Sequence, residues 1–344
     1  MSEEIRVDEY GVRHDSVERE ELPVEILIVG GGPAGLACAY KLAQLFKESG
    51  RDPEEIVLIE KSAELGQHSL SGAVMDPRGI AELIPDYLAQ GMPVESEVTS
   101  DAFVYLSESG SIKSPLTPPG VNNHGNYVIS LNKFVAWLGG KLEELGVSIF
   151  TGTGGYELLI EDYKVVGVRT VDMGRNPDGT ARDNFEPGSL IKAKCTILAE
   201  GVRGSLTKQA YRKLSIGAGK NPHNYLTGVK EIWEVPEGRV KPGQVIHTFG
   251  FPQPNNEFGG GFIYGMADNQ VAVGFAAALA SPDPQNDPHM KFQRYKSHPF
   301  VKALLDGGKM IRYGAKAIAE GGYYALPKFH HDGMLVIGES AGLL

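Results

Sequence analysis

The stretch that decides the fold runs from Val24 to Glu60. It begins Val-Glu-Ile-Leu-Ile-Val-Gly-Gly-Gly-Pro-Ala-Gly-Leu-Ala and ends Ile-Val-Leu-Ile-Glu. The first apolar run enters a Gly-x-Gly-x-x-Gly turn made by Gly30, Gly32 and Gly35, and the second apolar run ends in an acid. This order of strand, glycine turn, helix, strand and carboxylate is typical of a dinucleotide-binding unit.

Each position in the turn has a physical requirement. Gly30 can take a tight turn, Gly32 has no Cβ to keep a diphosphate from the backbone, and Gly35 lets the helix lie close to the strand. The unpaired amides at the helix start attract the diphosphate, and Glu60 is placed to accept hydrogen bonds from a ribose diol. The alternative is a glycine-rich turn without a ligand. The flanking strands and the acid favour a dinucleotide, which at this point is either NAD or FAD.

Composition restricts the class of protein. The chain has 344 residues, 42% of them hydrophobic and 22% charged, which is enough for two domains with a sizeable core. A formal charge of −10 argues against non-specific nucleic-acid binding.

The two cysteines, Cys38 and Cys195, are predicted to be small buried residues in a reducing compartment. The start of the chain has no apolar segment of the kind found in secretory signals. No apolar run approaches the length of about 18 residues that a membrane-spanning helix needs, so any membrane contact is expected to be peripheral.

Two later strands end in the same way as the first, with small residues and an acid at the carboxyl end, where ligands of open α/β sheets collect. These strands are predicted at Ile191 to Leu198 and at Leu335 to Ile337. Because a helix should begin where the chain stops, we expect the chain to be truncated. The residues in the two signals are Ala199, Glu200, Gly201, Gly338, Glu339, Ala341 and Gly342.

Between these signals the pattern predicts a second domain. From Tyr225 to Ala278 apolar residues alternate with a period close to two, which is typical of an antiparallel sheet. Within it, Phe258 to Phe262 contains three consecutive glycines. These residues indicate either a β-bulge, which the composition alone favours, or a backbone that approaches a planar ligand.

The remaining stretches are predicted as follows. Residues 1–22 form a solvated extension, residues 62–77 a loop that is either a bare surface loop or one that meets a flat ring, and Ile80 to Leu88 a short amphipathic helix. The other predicted elements are a hairpin over 103–112, a helix from Ser130 to Leu145, strands over 147–150 and 158–170, a polar loop over 172–188 and a helix from His289 to Leu305.

The three strand-end signals, in this order, resemble the FAD-binding fold of the glutathione-reductase and hydroxybenzoate-hydroxylase type. The resemblance implies an α/β fold, α+β overall, in which a Rossmann-like FAD-binding domain carries an inserted antiparallel-sheet quinone domain. It places the ADP half of FAD at the first signal and the diphosphate and flavin near the other two. Glu339 stands where that family usually has Asp.

Longer segments resemble the electron-transfer flavoprotein–ubiquinone oxidoreductase family. Its members take single electrons from reduced electron-transfer flavoprotein and deliver them to ubiquinone at a membrane surface, using FAD and a [4Fe-4S] cluster. The segments are Glu60 to Pro77, Asn122 to Tyr127, Ala199 to Gln209, Gly228 to Trp233, Phe258 to Tyr264 and Tyr313 to Tyr323.

The resemblance implies site residues. Gly259 and Gly260 match the glycines that line the family's quinone site, with Phe258 where the family often has Tyr. The region from Gly66 to Asp86 matches one that the family places at the membrane. Neither cysteine matches the family's C…CxxCxxC cluster ligands, so no metal ligand is assigned. Further FAD-binding residues are implied at Gly30, Gly31, Gly32, Pro33, Ala34, Gly35, Glu60, Lys61, Gly66, Ser71 and Gly72, besides the seven residues of the later signals.

The resemblance also implies a division of the chain and a function. The expected FAD-binding domain comprises residues 23–110, 147–215 and 309–344, and the expected quinone domain residues 111–146 and 216–308. No catalytic side chain is assigned, because the flavin carries the chemistry. The expected site of action is a membrane surface, on the cytoplasmic face of the inner membrane in a bacterium. The alternatives are a geranylgeranyl-reductase-like or hydroxylase-like flavoenzyme and an inactive flavin-binding fragment.

Overall fold

The computed structural model describes residues 6–9, 12–69, 72–254 and 256–343. They form two compact units. The first unit takes its residues from 1–67, 138–223 and 321–344, and the second from 68–137 and 224–320.

The first unit is built on an eight-stranded sheet. Six strands follow one another across it in the order Ser148–Phe150, Ile56–Ile59, Glu21–Val29, Leu190–Leu198, Lys164–Thr170 and Gly155–Glu161. Strand Met334–Val336 also pairs with Leu190–Leu198, and His330–His331 pairs with Met334–Val336. The unit also contains the helices Pro33–Glu48 and Ser205–Lys213, the single-turn 3₁₀ helices Pro53–Glu55, Tyr323–Ala325 and Gly338–Ala341, and the two-stranded ribbons Arg6–Val7 with Arg13–His14 and Met173–Arg175 with Ala181–Glu186.

The parallel part of this sheet explains why its strands are apolar. Strand Ile56–Ile59 is buried at every residue, as expected of a parallel strand that is covered on both faces. Helix Pro33–Glu48 buries Leu36, Ala39 and Ala43. The predicted strand, glycine turn, helix and strand are therefore confirmed.

The segment that precedes strand Glu21–Val29 differs from the predicted solvated extension. Val12 is 2% exposed, and the side chains of Asp15 and Arg19 are 3% and 6% exposed. Arg19 donates to Asp15 at 3.0 Å and also donates to Asp172. Asp15 and Arg19 are therefore buried by ion pairing, whereas Glu18 and Glu20 are exposed as predicted.

The same carboxylates hold a second arginine. Arg175 donates to Asp172 at 2.7 Å and also to Asp15. This four-residue network lies beside the ribbon Met173–Arg175 and Ala181–Glu186, in a stretch where the sequence predicts a loop. Arg175 therefore ties the ribbon to Asp15, 160 residues away along the chain.

We expect Asp172→Asn to lower the free energy of unfolding by about 2–3 kcal/mol at pH 7, because two buried guanidinium groups lose a partner. Burial raises the pKa of Asp172, but hydrogen bonds from Arg19, Gly188 and Arg175 outweigh it and hold the pKa well below its usual range. The contribution of this group is therefore present above the unfolded pKa of about 3.9 and is lost as the pH falls through the folded value.

Urea denaturation between pH 7 and pH 3 tests this expectation. The wild type should lose stability toward low pH more steeply than Asp172→Asn. Asp183→Asn, which changes an exposed carboxylate of the same ribbon, is the matched control and should alter stability by less than about 0.5 kcal/mol. Equal unfolding midpoints for the wild type and Asp172→Asn at pH 7 would contradict the role of the network.

The second unit is built on a seven-stranded sheet. Its strand order is Lys309–Ala319, Tyr225–Glu234, Gln270–Ala278, Gly259–Gly265, Gln244–Gly250, Ser100–Leu106 and Ser111–Lys113. All neighbours are antiparallel except Gln244–Gly250 and Ser100–Leu106, which are parallel. The predicted antiparallel sheet and the hairpin near residues 103–112 are confirmed.

Smaller elements complete the second unit. They are the three-stranded sheet Ala73–Met75, Tyr127–Ile129 and Ser96–Glu97, the helices Arg78–Leu83, Pro288–Ser297 and Pro299–Leu305, and the 3₁₀ turn Pro119–Val121. Helix Leu131–Glu144 contributes residues to both units.

Two predicted helices differ in extent. The helix predicted over Ile80 to Leu88 ends at Leu83, because Pro85 disfavours helical geometry at Ile84. The helix predicted from His289 to Leu305 is two helices, because Pro299 begins the second and His298 caps it by accepting from the amide of Phe300 at 3.2 Å.

The boundaries of the two compact units differ from those of the predicted domains. Residues 68–110 and 309–320 lie in the second unit, whereas 138–146 and 216–223 lie in the first. The reason is strand pairing: Ser100–Leu106 and Lys309–Ala319 are strands of the second sheet. Such partners, at least 75 residues away along the chain, leave no local signal.

Candidate functional site

The three predicted strand ends lie side by side at one edge of the first sheet. Val29 pairs with Leu198, and Leu198 pairs with Val336, both in parallel register. The amide of Ala199 donates to Val29 at 2.8 Å, and the amide of Ile337 donates to Leu198 at 3.0 Å. The carboxyl ends of these strands therefore form one continuous edge, which is where ligands bind in sheets of this kind.

The first and last glycines of the turn are required by neighbouring backbone. Gly30 has a φ of +113°, and a Cβ there would lie 2.3 Å from the carbonyl oxygen of Ala199. A Cβ on Gly35 would lie 2.0 Å from the carbonyl oxygen of Gly30. These two residues set the close packing of the helix on the strands.

Gly32 is different, because a Cβ there would meet no atom within 4 Å. It is the N-cap of helix Pro33–Glu48, where no side chain caps the amides and the first turn contains no acid. Open space beside uncapped amides at the positive end of a helix dipole fits an anionic group such as a diphosphate.

Glu60 follows the second strand, and its carboxylate is ordered by neighbouring donors. It accepts from the amide of Gly31 at 2.8 Å and from the amide and hydroxyl of Ser62 at 2.9 and 2.7 Å. Burial raises the pKa of Glu60, but these hydrogen bonds outweigh it and lower the pKa below its ordinary value. An ionised carboxylate with about four acceptor sites keeps one for a ribose hydroxyl. Ser62 is not among the predicted site residues, although a hydroxyl two residues after an acid is a usual turn signal.

Glu200 has a structural task in addition to the predicted one. Its carboxylate accepts from the amide of Leu206 at 3.1 Å and from the amide and hydroxyl of Thr207 at 2.8 and 2.9 Å. It therefore caps helix Ser205–Lys213, whose N-cap residue Gly204 has no side chain to do so. A contact of Glu200 with a cofactor stays a prediction.

The residues after the third strand contact those after the second through a hydrogen bond. The hydroxyl of Ser340 donates to the carbonyl oxygen of Gly201 at 3.2 Å. Gly338–Ala341 is a single 3₁₀ turn, and Ala341 is fully buried. The ligand-binding roles of Gly338, Glu339, Ala341 and Gly342 stay predictions.

The predicted loop residues after Glu60 are divided between the units. Lys61 is exposed and Gly66 is buried in the first unit. Gly72 lies in the second, where a Cβ on it would come within 2.3 Å of the Cβ of Ala272. Ser71 lies outside the described residues.

The predicted quinone residues lie at the start of strand Gly259–Gly265. Gly259 pairs with Ala277 and Gly260 with Ala276, without a register shift, so the β-bulge interpretation is wrong. A Cβ on Gly260 would lie 2.6 Å from the carbonyl oxygen of Thr248. Phe258, just before the strand, is 67% exposed.

Redox and metal chemistry of side chains finds little support in the described residues. Burial, and to a smaller extent the neighbouring Cys195, raises the pKa of the Cys38 thiol to about 11, and burial also raises the pKa of Cys195. Such thiols are poor nucleophiles at neutral pH. Over the ranges that the structure covers, no three His, Cys, Asp or Glu side chains are grouped to hold a metal ion. Within the same ranges, no helix is long and apolar enough to cross a membrane.

Two family models match separate stretches of the chain. A family model described as a NAD(P)-binding Rossmann-like domain matches residues 28–105, and the model "ETF-QO, ubiquinone-binding" matches residues 225–318. These matches bear out the predicted α/β fold with a Rossmann-like nucleotide site.

Curated relatives match almost the whole chain. The mitochondrial electron transfer flavoprotein-ubiquinone oxidoreductase of Sus scrofa is 42% identical over 96% of this chain and 54% of its own length. A probable electron transfer flavoprotein-ubiquinone oxidoreductase of Acinetobacter baylyi is 42% identical over 96% of this chain and 59% of its own. The chain thus spans little more than half the length of these relatives.

Among solved structures, a geranylgeranyl bacteriochlorophyll reductase-like protein from Thermoplasma acidophilum superimposes with a TM-score of 0.68. The match covers 94% of this chain and 72% of the other, at 19% identity. At that identity the similarity shows the shared fold.

Proposed function

The chain shares a family with the electron transfer flavoprotein-ubiquinone oxidoreductases, and on that premise we propose that it passes electrons from reduced electron-transfer flavoprotein, through FAD, to ubiquinone. The supporting observation is that the ubiquinone-binding family model matches residues 225–318. The first unit also carries a glycine turn, and the helix that follows this turn has no side-chain cap at its start. In this proposal the protein is an electron-transfer flavoprotein dehydrogenase.

The glycine turn fits FAD in three respects. The amides at the start of helix Pro33–Glu48 bind the diphosphate, the space beside Gly32 admits it, and Glu60 orients the ribose. Bound FAD supplies the redox chemistry, and the protein supplies position and polarity. The residues proposed to hold it are Gly30, Gly31, Gly32, Pro33, Ala34, Gly35, Glu60, Lys61, Gly66, Ser71, Gly72, Ala199, Glu200, Gly201, Gly338, Glu339, Ala341 and Gly342.

We assign ubiquinone to the second unit, beside Phe258, Gly259 and Gly260. Gly259 and Gly260 place no side chain between the strand backbone and a flat headgroup, and the exposed ring of Phe258 offers an apolar contact. Phe258 has no hydroxyl, so it can contribute packing to this site but no hydrogen bond.

The proposed setting is a membrane surface, because ubiquinone is a lipid. We propose a peripheral contact through the region Gly66 to Asp86 and the neighbouring Leu88, whose side chain is 52% exposed. In a bacterium the proposed location is the cytoplasmic face of the inner membrane. A [4Fe-4S] cluster needs four thiolates, and this chain has two cysteines, so we derive no step through a cluster.

Titration of the purified protein with FAD and then with ubiquinone-1 tests the proposal. We expect one FAD per chain, seen by its visible absorbance after removal of free flavin, and saturable binding of ubiquinone-1 to the FAD-loaded protein. Absence of bound flavin after reconstitution would overturn the proposal. Flavin binding without quinone binding would favour the geranylgeranyl-reductase-like or hydroxylase-like alternative or an inactive fragment.

A further inference from the structure

Lys230 is a partly buried cation in the middle of the second sheet. It lies on strand Tyr225–Glu234, and its ammonium donates one hydrogen bond, to the carbonyl oxygen of Gly72. The ammonium lies 5.1 Å from the centroid of the Phe262 ring, within the range of a cation–π contact. Among the described residues it has no acidic partner, and two of its three N–H donors are unused.

The next residue in the strand shows the contrast. Glu231, on the opposite face, accepts from Lys296 at 2.7 Å with both carboxylate oxygens and from the indole of Trp233 at 2.7 Å. The sheet therefore pairs the buried charge of Glu231 on one face, whereas Lys230 on the other face has no counter-ion among the residues that the structure describes. Burial lowers the pKa of Lys230 to about 8, which shows that its charged form is costly in the free protein.

Beside Lys230, the same face of the sheet carries a row of small residues. Gly260 pairs with Ala276, and Ala276 pairs with Gly228, so three adjacent strands present no side chain larger than a methyl group at this level. Lys230 and Phe262 belong to the next level, each two residues along its strand from a glycine of the row. This row of small residues, bordered by the side chain of Ile318 beside Gly228, lies next to an ammonium and an aromatic ring.

We propose that Lys230 binds an oxygen of the ubiquinone headgroup with one of its unused N–H groups and stabilises the negative charge that the oxygen gains on reduction. A quinone meets the requirements of this surface, since it is flat, uncharged and edged by two carbonyl acceptors. The inference rests on the proposed function and adds a specific positioning and charge-stabilising residue to it.

The chemistry balances without a further reactant. In the proposed function one quinone takes up two electrons, which come from reduced electron-transfer flavoprotein by way of the flavin, and two protons, which come from water, to give one quinol. The ammonium acts before the protons arrive, when charge develops on the oxygen. A preorganised cation at that position costs no reorganisation at the moment of reduction.

Binding of ubiquinone-1 to the FAD-loaded protein, measured by titration calorimetry at pH 7, tests the proposal in three variants. Lys230→Met should weaken binding about tenfold or more, because a hydrogen bond to a charged group is lost, whereas Lys230→Arg should retain most of the affinity. Lys302→Met removes an exposed lysine of the same unit and should have no effect. Equal affinity of the wild type and Lys230→Met would overturn the proposal and leave the proposed function standing, while no binding by the wild type would overturn both.

The pH dependence separates this role from a structural one. Wild-type affinity should fall between pH 7 and 9.5 as the ammonium loses its proton, and Lys230→Met should be flat over this range. The other charged or titratable groups on this face are Asp101, Tyr105, His247, Tyr264, Arg312 and Lys316. Burial lowers the pKa of His247 and raises that of Tyr264, which moves both away from this window.

A melting curve of each variant completes the test. If the only role of Lys230 were to bind the carbonyl oxygen of Gly72, Lys230→Met would lower the melting temperature and leave the quinone affinity and its pH profile unchanged. That outcome would overturn the proposal. Because the variant removes a buried charge without a counter-ion, we expect a melting temperature equal to or above that of the wild type.

Discussion

Replacing Gly32 by alanine is expected to weaken FAD binding about 100-fold, because the methyl group keeps the diphosphate from two or more helix amides that would each donate a charge-assisted hydrogen bond. The fold should survive, since a Cβ at this position meets no atom within 4 Å and the φ of −82° suits any residue. Alanine is a poorer N-cap than glycine, so a loss of stability of up to about 1 kcal/mol is expected.

Flavin fluorescence titration and a urea melt of the same preparation check this expectation. Gly140→Ala is the matched control, because a Cβ on Gly140, inside helix Leu131–Glu144, also meets no atom within 4 Å. The control should bind FAD as the wild type does. If Gly32→Ala binds FAD with an affinity within a factor of two of the wild type, the diphosphate does not bind beside Gly32.

Replacing Gly35 by alanine is expected to destabilise the first unit by about 3 kcal/mol. Alanine is normally the better helix former by about 0.5–1 kcal/mol, so a stabilisation would be expected from helix propensity alone. Here the new Cβ would lie 2.0 Å from the carbonyl oxygen of Gly30 and 3.2 Å from the Cβ of Ala199. Backbone cannot give way as a flexible side chain can, so the clash reverses the sign.

The comparison with Gly140→Ala makes this prediction specific, because both changes put alanine into a helix. Urea denaturation should show Gly140→Ala as more stable than the wild type by about 0.5–1 kcal/mol and Gly35→Ala as much less stable. Increased stability of both variants would mean that the helix does not lie as close to the strand ends as the structure has it.

The nucleotide unit was predictable because its requirements are local. Strand Ile56–Ile59, the glycine turn and the acid Glu60 lie within 40 residues, and each has a distinct residue type. The strand ends after Leu198 and Val336 repeat that local pattern, so their common edge also follows from the rule that parallel strands end together.

Other features depend on partners that are distant in sequence. Strand Ser100–Leu106 pairs in parallel with Gln244–Gly250, and the buried Arg19 depends on Asp172, 153 positions away. The sequence pattern also does not predict every role of a side chain. Glu200 caps a helix, which its position after a strand does not suggest. An isolated lysine in a strand, Lys230, gives no sign in the sequence that its counter-ion is missing.

The electron donor distinguishes the proposed function from the geranylgeranyl-reductase-like or hydroxylase-like alternative, and steady-state reduction of ubiquinone-1 by the FAD-loaded protein with each of two donors identifies it. We expect turnover with reduced electron-transfer flavoprotein and none with a reduced nicotinamide cofactor. Turnover with the nicotinamide cofactor and none with reduced electron-transfer flavoprotein would contradict it.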